Sequence, residues 1–208
     1  MPAVQIDVWS DFVCPFCYLA APALDQLASG EAGEITISWR AFELRPDPVP
    51  TLDPKGDYLR KAWAESVYPM AKQCGVTLNL PPVQPRSRWA HEAAAYGATH
   101  GKGNGMTHTI FRAFFEHGID IGRVEELSII AAGLGLDPAD FEAALTSGRH
   151  RQQVLADEAL AQSFDLSGVP AIVIRLAGAP WEQAVLVSGA QPVEVLSNAV
   201  AQVRAHAR

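Results

Sequence analysis

The chain has 208 residues, 49% of them apolar and 19% charged, enough for a real core in one large domain or in one domain carrying an insertion. A formal charge of −7 and a sequence pI near 5.3, with Lys and Arg scattered, argue against nucleic-acid or anionic-membrane partners, since either needs a basic surface. No apolar run approaches the roughly 18 residues of a membrane span. The opening MPAVQIDVWSDF has neither a basic nor an apolar leader segment, so the expected location is the cytoplasm.

In chain order, AVQIDVW (Ala3 to Trp9) alternates as a buried strand would. Cys14 to Ala28 follows with Cys17, Ala21, Leu24 and Ala28 on one helical stripe; Gly30 is a stop signal and Pro22 predicts a kink. EITISWRAFEL (Glu34 to Leu44) is a second strand, so the chain opens as a parallel strand–helix–strand unit. RPDPVPTLDPKG, with four prolines, is a connector. Helical stripes then run to about Phe164. The first is Leu59, Trp63, Val67, Met70 and Cys74, interrupted by Pro69 and closed by Gly75. The second is Trp89, Ala93, Tyr96 and His100, with Ser87 as its expected cap. Met106, Ile110, Phe111, Phe114 and Phe115 give a third, and Val124, Leu127, Ile130 and Leu134 a fourth. Asp137 as cap, Pro138 at the first position and Gly148 as stop frame the next helix, and Val154 to Phe164 supplies another. Strand character returns at Pro170 to Ala177 and Ala184 to Gly189, and a last helix opens after Pro192.

This order predicts an α/β fold of the thioredoxin type with a large all-helical insertion. The sheet domain is expected from 1–50 and 165–208, and the insertion from 51–164.

DVWSDFVCPFCYLAAPALDQL places Cys14 and Cys17 between the first strand and the first helix. Residues three apart on a helix face the same way with Cβ atoms near disulfide range, so the pair can close with little backbone change. Cys14 stands where unpaired N–H groups favour a thiolate, and Cys17, one turn in, is the natural resolving thiol. Pro15 fixes the first turn without wasting a donor, and Phe16 brings neither charge nor a donor to the sulfur. Cys14 is therefore expected to be less acidic than in a chain with histidine at position 16. The spacing alone leaves two other readings open. A structural zinc site needs four ligands, whereas the one remaining cysteine, Cys74, stands apart and the six histidines show no close pair. Two inert buried thiols would also give this spacing. Cys74 itself, on an apolar stripe, reads as a small buried hydrophobe.

The cysteine pair at the first helix, the helical insertion and the late SGVPAIVI together resemble the DsbA family of thiol–disulfide oxidoreductases, and within it the FrnE-like branch. DVWSDFVCPFCY is similar to that branch's active-site segment and VSGAQP to its motif after the last strand. The resemblance implies a catalytic trio of Cys14, Cys17 and a cis Pro170. It also implies substrate contacts from Pro15, Phe16, Val169 and Gln191, with the Val169 backbone pairing to an extended substrate segment. Thiol or disulfide substrates, of protein or small-molecule type, are the implied partners. No metal or organic cofactor is required, glutathione is open as an exchange partner, and a homodimer is one compatible state.

Related glutathione-dependent transferases and isomerases, of the kappa and 2-hydroxychromene-2-carboxylate types, share the fold but usually carry serine at the Cys14 position and Asp-Arg where this chain reads Ala190-Gln191. That makes them the second reading. The remaining candidates read as structure. His91, His100, His108 and His117 are surface or satisfied core histidines, the run Phe111 to Phe115 is core, and GKGNG (Gly101 to Gly105) is a flexible loop without phosphate-binding spacing. Apolar residues of the insertion that border the cysteines are left open as a binding wall for unfolded chain or a small aromatic compound.

Overall fold

The computed structural model describes residues 2–30 and 34–205. Strand β1 (Val4–Ser10) leads into helix α1 (Pro15–Gly30) and β2 (Ile35–Ala41). A helical block follows: α2 (Asp57–Ala62), a π-turn (Trp63–Val67), α3 (Tyr68–Cys74), α4 (Arg88–Thr99), α5 (Gly103–Phe115), α6 (Val124–Gly133), α7 (Pro138–Ser147) and α8 (Arg151–Ser163). The chain then returns through β3 (Ala171–Leu176), β4 (Val185–Ser188) and α9 (Val193–Ala205). The sheet order is β2-β1-β3-β4, with β1 parallel to β2 and antiparallel to β3, and β3 antiparallel to β4. This is the thioredoxin-type sheet with a helical insertion between β2 and β3.

The two-residue period of β1 sorts its side chains. Val4, Ile6 and Val8 join Leu24 and Leu27 of α1 and Leu196, Val200 and Val203 of α9 in one apolar core. Each such side chain contributes about 1.5–3 kcal/mol on burial. The opposite face carries Trp9, with Ala171, Val173 and Ala161 of α8, and the fully buried Asp7. Asp7 takes Arg40 at 2.7 Å and Arg175 at 3.4 Å, and Arg40 reaches on to Asp157 of α8 at 2.8 Å. The Trp9 indole N–H donates to the Asp157 carbonyl at 2.8 Å. This clasp fixes the last helix of the insertion against the sheet, and with it the position of the whole helical block.

Several predicted elements take the expected form. Asp137 caps α7 by accepting from the Asp140 backbone N–H at 2.8 Å, Pro138 opens the helix, and Gly148 closes it in the left-handed conformation. Phe111, Phe114 and Phe115 are buried in the core of the insertion. Helix α1 continues through Pro22.

Other expectations are corrected. Cys74 is exposed rather than buried. Pro69 cannot donate to the carbonyl four residues back, and the π-turn just before it absorbs this defect. The wider turn holds Leu59, Trp63, Val67 and Ala71 on the buried face and turns Cys74 away from it. Ser87 stands at the cap position of α4 but makes no side-chain cap bond, and Trp89 lies on the exposed side of that helix. GKGNG is not a loop throughout, because α5 begins at Gly103. A Cβ on Gly97 would stand 2.8 Å from Met106 Cβ, and one on Gly103 would stand 3.1 Å from Ala98, so these glycines serve the close crossing of α4 and α5.

Candidate active site

Cys14 occupies the residue before α1, with its backbone N–H donating to the Asp11 carbonyl at 3.0 Å. Its own carbonyl accepts from the Cys17 N–H at 3.1 Å, which tightens the first turn and sets the two side chains on one side. Both cysteines are free thiols. Burial pushes the Cys17 thiol well up from its ordinary value. The neighbouring Cys14 sulfur and the Asp11 charge add to that rise, while a backbone hydrogen bond from Asp11 opposes it. Cys17 is therefore a neutral thiol at neutral pH.

The Cys14 sulfur lies 3.6 Å from the Val169 carbonyl oxygen, within reach of an S–H donor. The Val169–Pro170 peptide bond is cis, and Pro170 leads directly into β3. Its carbonyl accepts the Gly189 N–H at 2.8 Å, so the loop is tied to the end of β4. Lacking an N–H, Pro170 offers no competing donor to the sulfur.

Although Cys14 is only 6% exposed, it opens onto a cavity of about 180 Å³. One wall is the active-site segment, with Asp11, Val13, Cys14, Pro15 and Phe16, and the other is built by the insertion, chiefly Tyr58, Leu59, Trp63 and Val67. Trp63 is held from behind by the Tyr68 and Phe115 rings at 5.4 and 6.1 Å. The cavity is an apolar slot beside a sulfur. Apolar cavities of about 150 Å³ take up a benzene-sized guest. Among the described residues no group of three or more His, Cys, Asp or Glu is placed to hold a metal ion, and no helix is long and apolar enough to cross a membrane.

Of the residues singled out in the sequence, Cys14, Pro15 and Phe16 line this cavity, Cys17 lies behind Cys14, and Val169 contacts its sulfur. Gln191 does not line it: its amide donates to the Ser188 carbonyl at 3.0 Å, closing the turn after β4. Sequence reasoning missed Asp11, a fully buried carboxylate three residues before Cys14. Its oxygens accept the backbone N–H of Val13 at 3.3 Å and of Leu44 at 2.7 Å, so it ties the cysteine loop to the segment that follows β2. The available signal was a second acidic residue, after Asp7, on the short approach to the cysteines.

Comparison with known proteins bears on the family and the fold. A curated relative, the uncharacterized protein YwbO of Bacillus subtilis, is 34% identical over 177 residues, covering 82% of this chain and 86% of its own. Among solved structures, the probable DsbA oxidoreductase SCO1869 from Streptomyces coelicolor superposes with a TM-score of 0.81 at 21% identity, covering 97% of this chain and 90% of that one. A 2-hydroxychromene-2-carboxylate isomerase gives 0.75 at 20% identity over 98% and 97% of the two chains. The cytosolic disulfide reductase DsbM from Pseudomonas aeruginosa, solved with GSH, gives 0.72 at 20% identity over 96% and 99%. These three structures share the fold. The profile of the DSBA-like thioredoxin domain matches residues 5–201, nearly the whole of the sheet and insertion just described, and the chain belongs to that family.

Proposed function

We propose that this protein is a thiol–disulfide oxidoreductase of the FrnE-like branch, working in the cytoplasm through the C-P-F-C pair. One observation carries the reading: the Cys14 sulfur is flanked by the Cys17 thiol and the Val169 carbonyl and opens onto an apolar slot. In the reducing direction the Cys14 thiolate attacks a substrate disulfide and forms a mixed disulfide, and one substrate sulfur leaves as a thiolate. Cys17 then attacks Cys14, the Cys14–substrate bond breaks, and the second substrate thiol departs. Two electrons pass from the dithiol to the substrate. Run backwards, the same steps oxidise a substrate dithiol. No step needs a metal or organic cofactor.

The cis Pro170 loop leaves the Val169 backbone available for an extended substrate segment, while Pro15, Phe16 and Trp63 favour substrates with an apolar or aromatic group beside the reacting sulfur. Glutathione is the proposed small-molecule exchange partner, in keeping with the GSH seen in DsbM.

Insulin reduction and oxidation of a dithiol peptide, compared between the wild type and Cys14→Ser, test this directly. Turnover that disappears in Cys14→Ser supports the proposal; equal turnover refutes it. The shared fold of the chromene-carboxylate isomerase keeps glutathione-dependent isomerisation as the rival. Its signature would be tight glutathione binding that survives Cys17→Ala. Against it stand a cysteine at position 14 and the absence of a carboxylate–guanidinium pair at Ala190-Gln191.

A further inference from the structure

The chain carries 23 acidic side chains against 16 Lys and Arg, so a cation without a carboxylate partner stands out. Ten of the eleven described arginines are ion-paired to Asp or Glu. Arg45 is the exception among the described residues, and it lines the cavity onto which Cys14 opens.

The acidic groups nearest to it in sequence and in the cavity wall are all engaged. Glu43 pairs with Arg88, and Asp47 with Arg86 at 3.1 Å. Asp11 accepts the Val13 and Leu44 N–H groups and faces His91 Nε2 at 3.6 Å. Arg45 itself is half-buried, and its Nη1 donates to the Pro50 carbonyl at 3.0 Å. Arg86 holds the same stretch from the other side, donating to the Arg45 and Val49 carbonyls at 3.2 and 3.1 Å. The segment after β2 is thereby folded on itself, with a guanidinium fixed in place whose remaining donors have no carboxylate to meet. A pocket of apolar walls with one fixed charged group orients its ligand through that group. The planar fork of a guanidinium matches a carboxylate through two parallel N–H donors.

We propose that Arg45 selects the substrate: the cavity takes small disulfides and thiols that carry a carboxylate on the apolar group next to the reacting sulfur. The apolar group enters the slot between Phe16 and Trp63, the carboxylate meets Arg45, and the sulfur is held against Cys14. Arg45 takes no part in bond making or proton transfer; it is a specificity residue.

The inference rests on the exchange chemistry proposed above, and two aromatic disulfides separate them. Dithiobis(nitrobenzoate) carries a carboxylate on each ring, whereas dithiodipyridine is uncharged at neutral pH. Attack by the Cys14 thiolate breaks the disulfide of either reagent, forms a mixed disulfide and releases one coloured product. In Arg45→Met the rate of this release should fall by about tenfold or more with dithiobis(nitrobenzoate) and stay within about twofold with dithiodipyridine. Lys55→Met removes a positive charge from an exposed position outside the cavity and should leave both rates within about twofold. Unchanged rates in Arg45→Met, or an equal loss with both reagents, overturn the assignment. An equal loss in Lys55→Met would reduce the effect to overall charge and overturn it too. Should Arg45→Met fail to fold, competition in the wild type decides. Benzoate should slow release from dithiobis(nitrobenzoate) at concentrations where benzamide does not, and equal inhibition, or none, contradicts the assignment. No release from either reagent in the wild type overturns the exchange chemistry, and the assignment with it.

Discussion

The start of α1 and the end of α3 each present a cysteine, and they place the same functional group in opposite settings. Cys14 is nearly buried, yet it stands at the amino end of a helix, beside a second thiol, against a backbone carbonyl and at the mouth of a cavity. Cys74 is exposed, but it is the last residue of its helix, where carbonyl groups rather than N–H groups point outward. Exposure alone does not make a thiol useful for exchange. What matters is a partner sulfur within closing distance, a helix end that offers donors, and a bounded space in which a substrate sulfur can sit.

Substitutions can sharpen or break this contrast. The largest effect is expected from Cys14→Ser, which should reduce insulin reduction to the uncatalysed rate; retained turnover would move the chemistry elsewhere. Cys17→Ser should leave the first attack intact but stall release, so that substrate accumulates as a covalent adduct detectable by intact mass. Trp63→Ala removes a buried wall of the cavity and should cost about 3–5 kcal/mol in denaturant unfolding. Its exchange rate should also fall more for disulfides flanked by aromatic residues than for those flanked by glycine. Cys74→Ser should change exchange by less than about twofold and stability by no more than about 0.5 kcal/mol. A larger loss there would mean that the exposed thiol takes part after all.

Where local chemistry decides structure, the sequence was readable. The alternation of Val4, Ile6 and Val8, the Asp137–Pro138–Gly148 frame and the phenylalanine stripe of α5 each specify one outcome through short-range rules, and each takes that form. The misreadings share a different cause. Cys74 lies on an apolar stripe only if the helix keeps one pitch, and the π-turn before Pro69 changes it. Gly103 looks like loop until α4 and α5 are seen to cross on it. At the site, the C-P-F-C segment was visible because its residues are contiguous. The approach of His91 to Asp11 was not, because it joins residues 80 positions apart. The clasp of Asp7, Arg40 and Asp157 is likewise assembled only when α8 docks on the sheet.

The most direct test of the account is a trapping experiment on Cys17→Ala with a disulfide-bonded peptide, followed by digestion and mass spectrometry. The account predicts one peptide adduct per chain, carried on Cys14 and released by added thiol. An adduct on Cys74 instead, or no adduct at all while the protein remains folded, would contradict it.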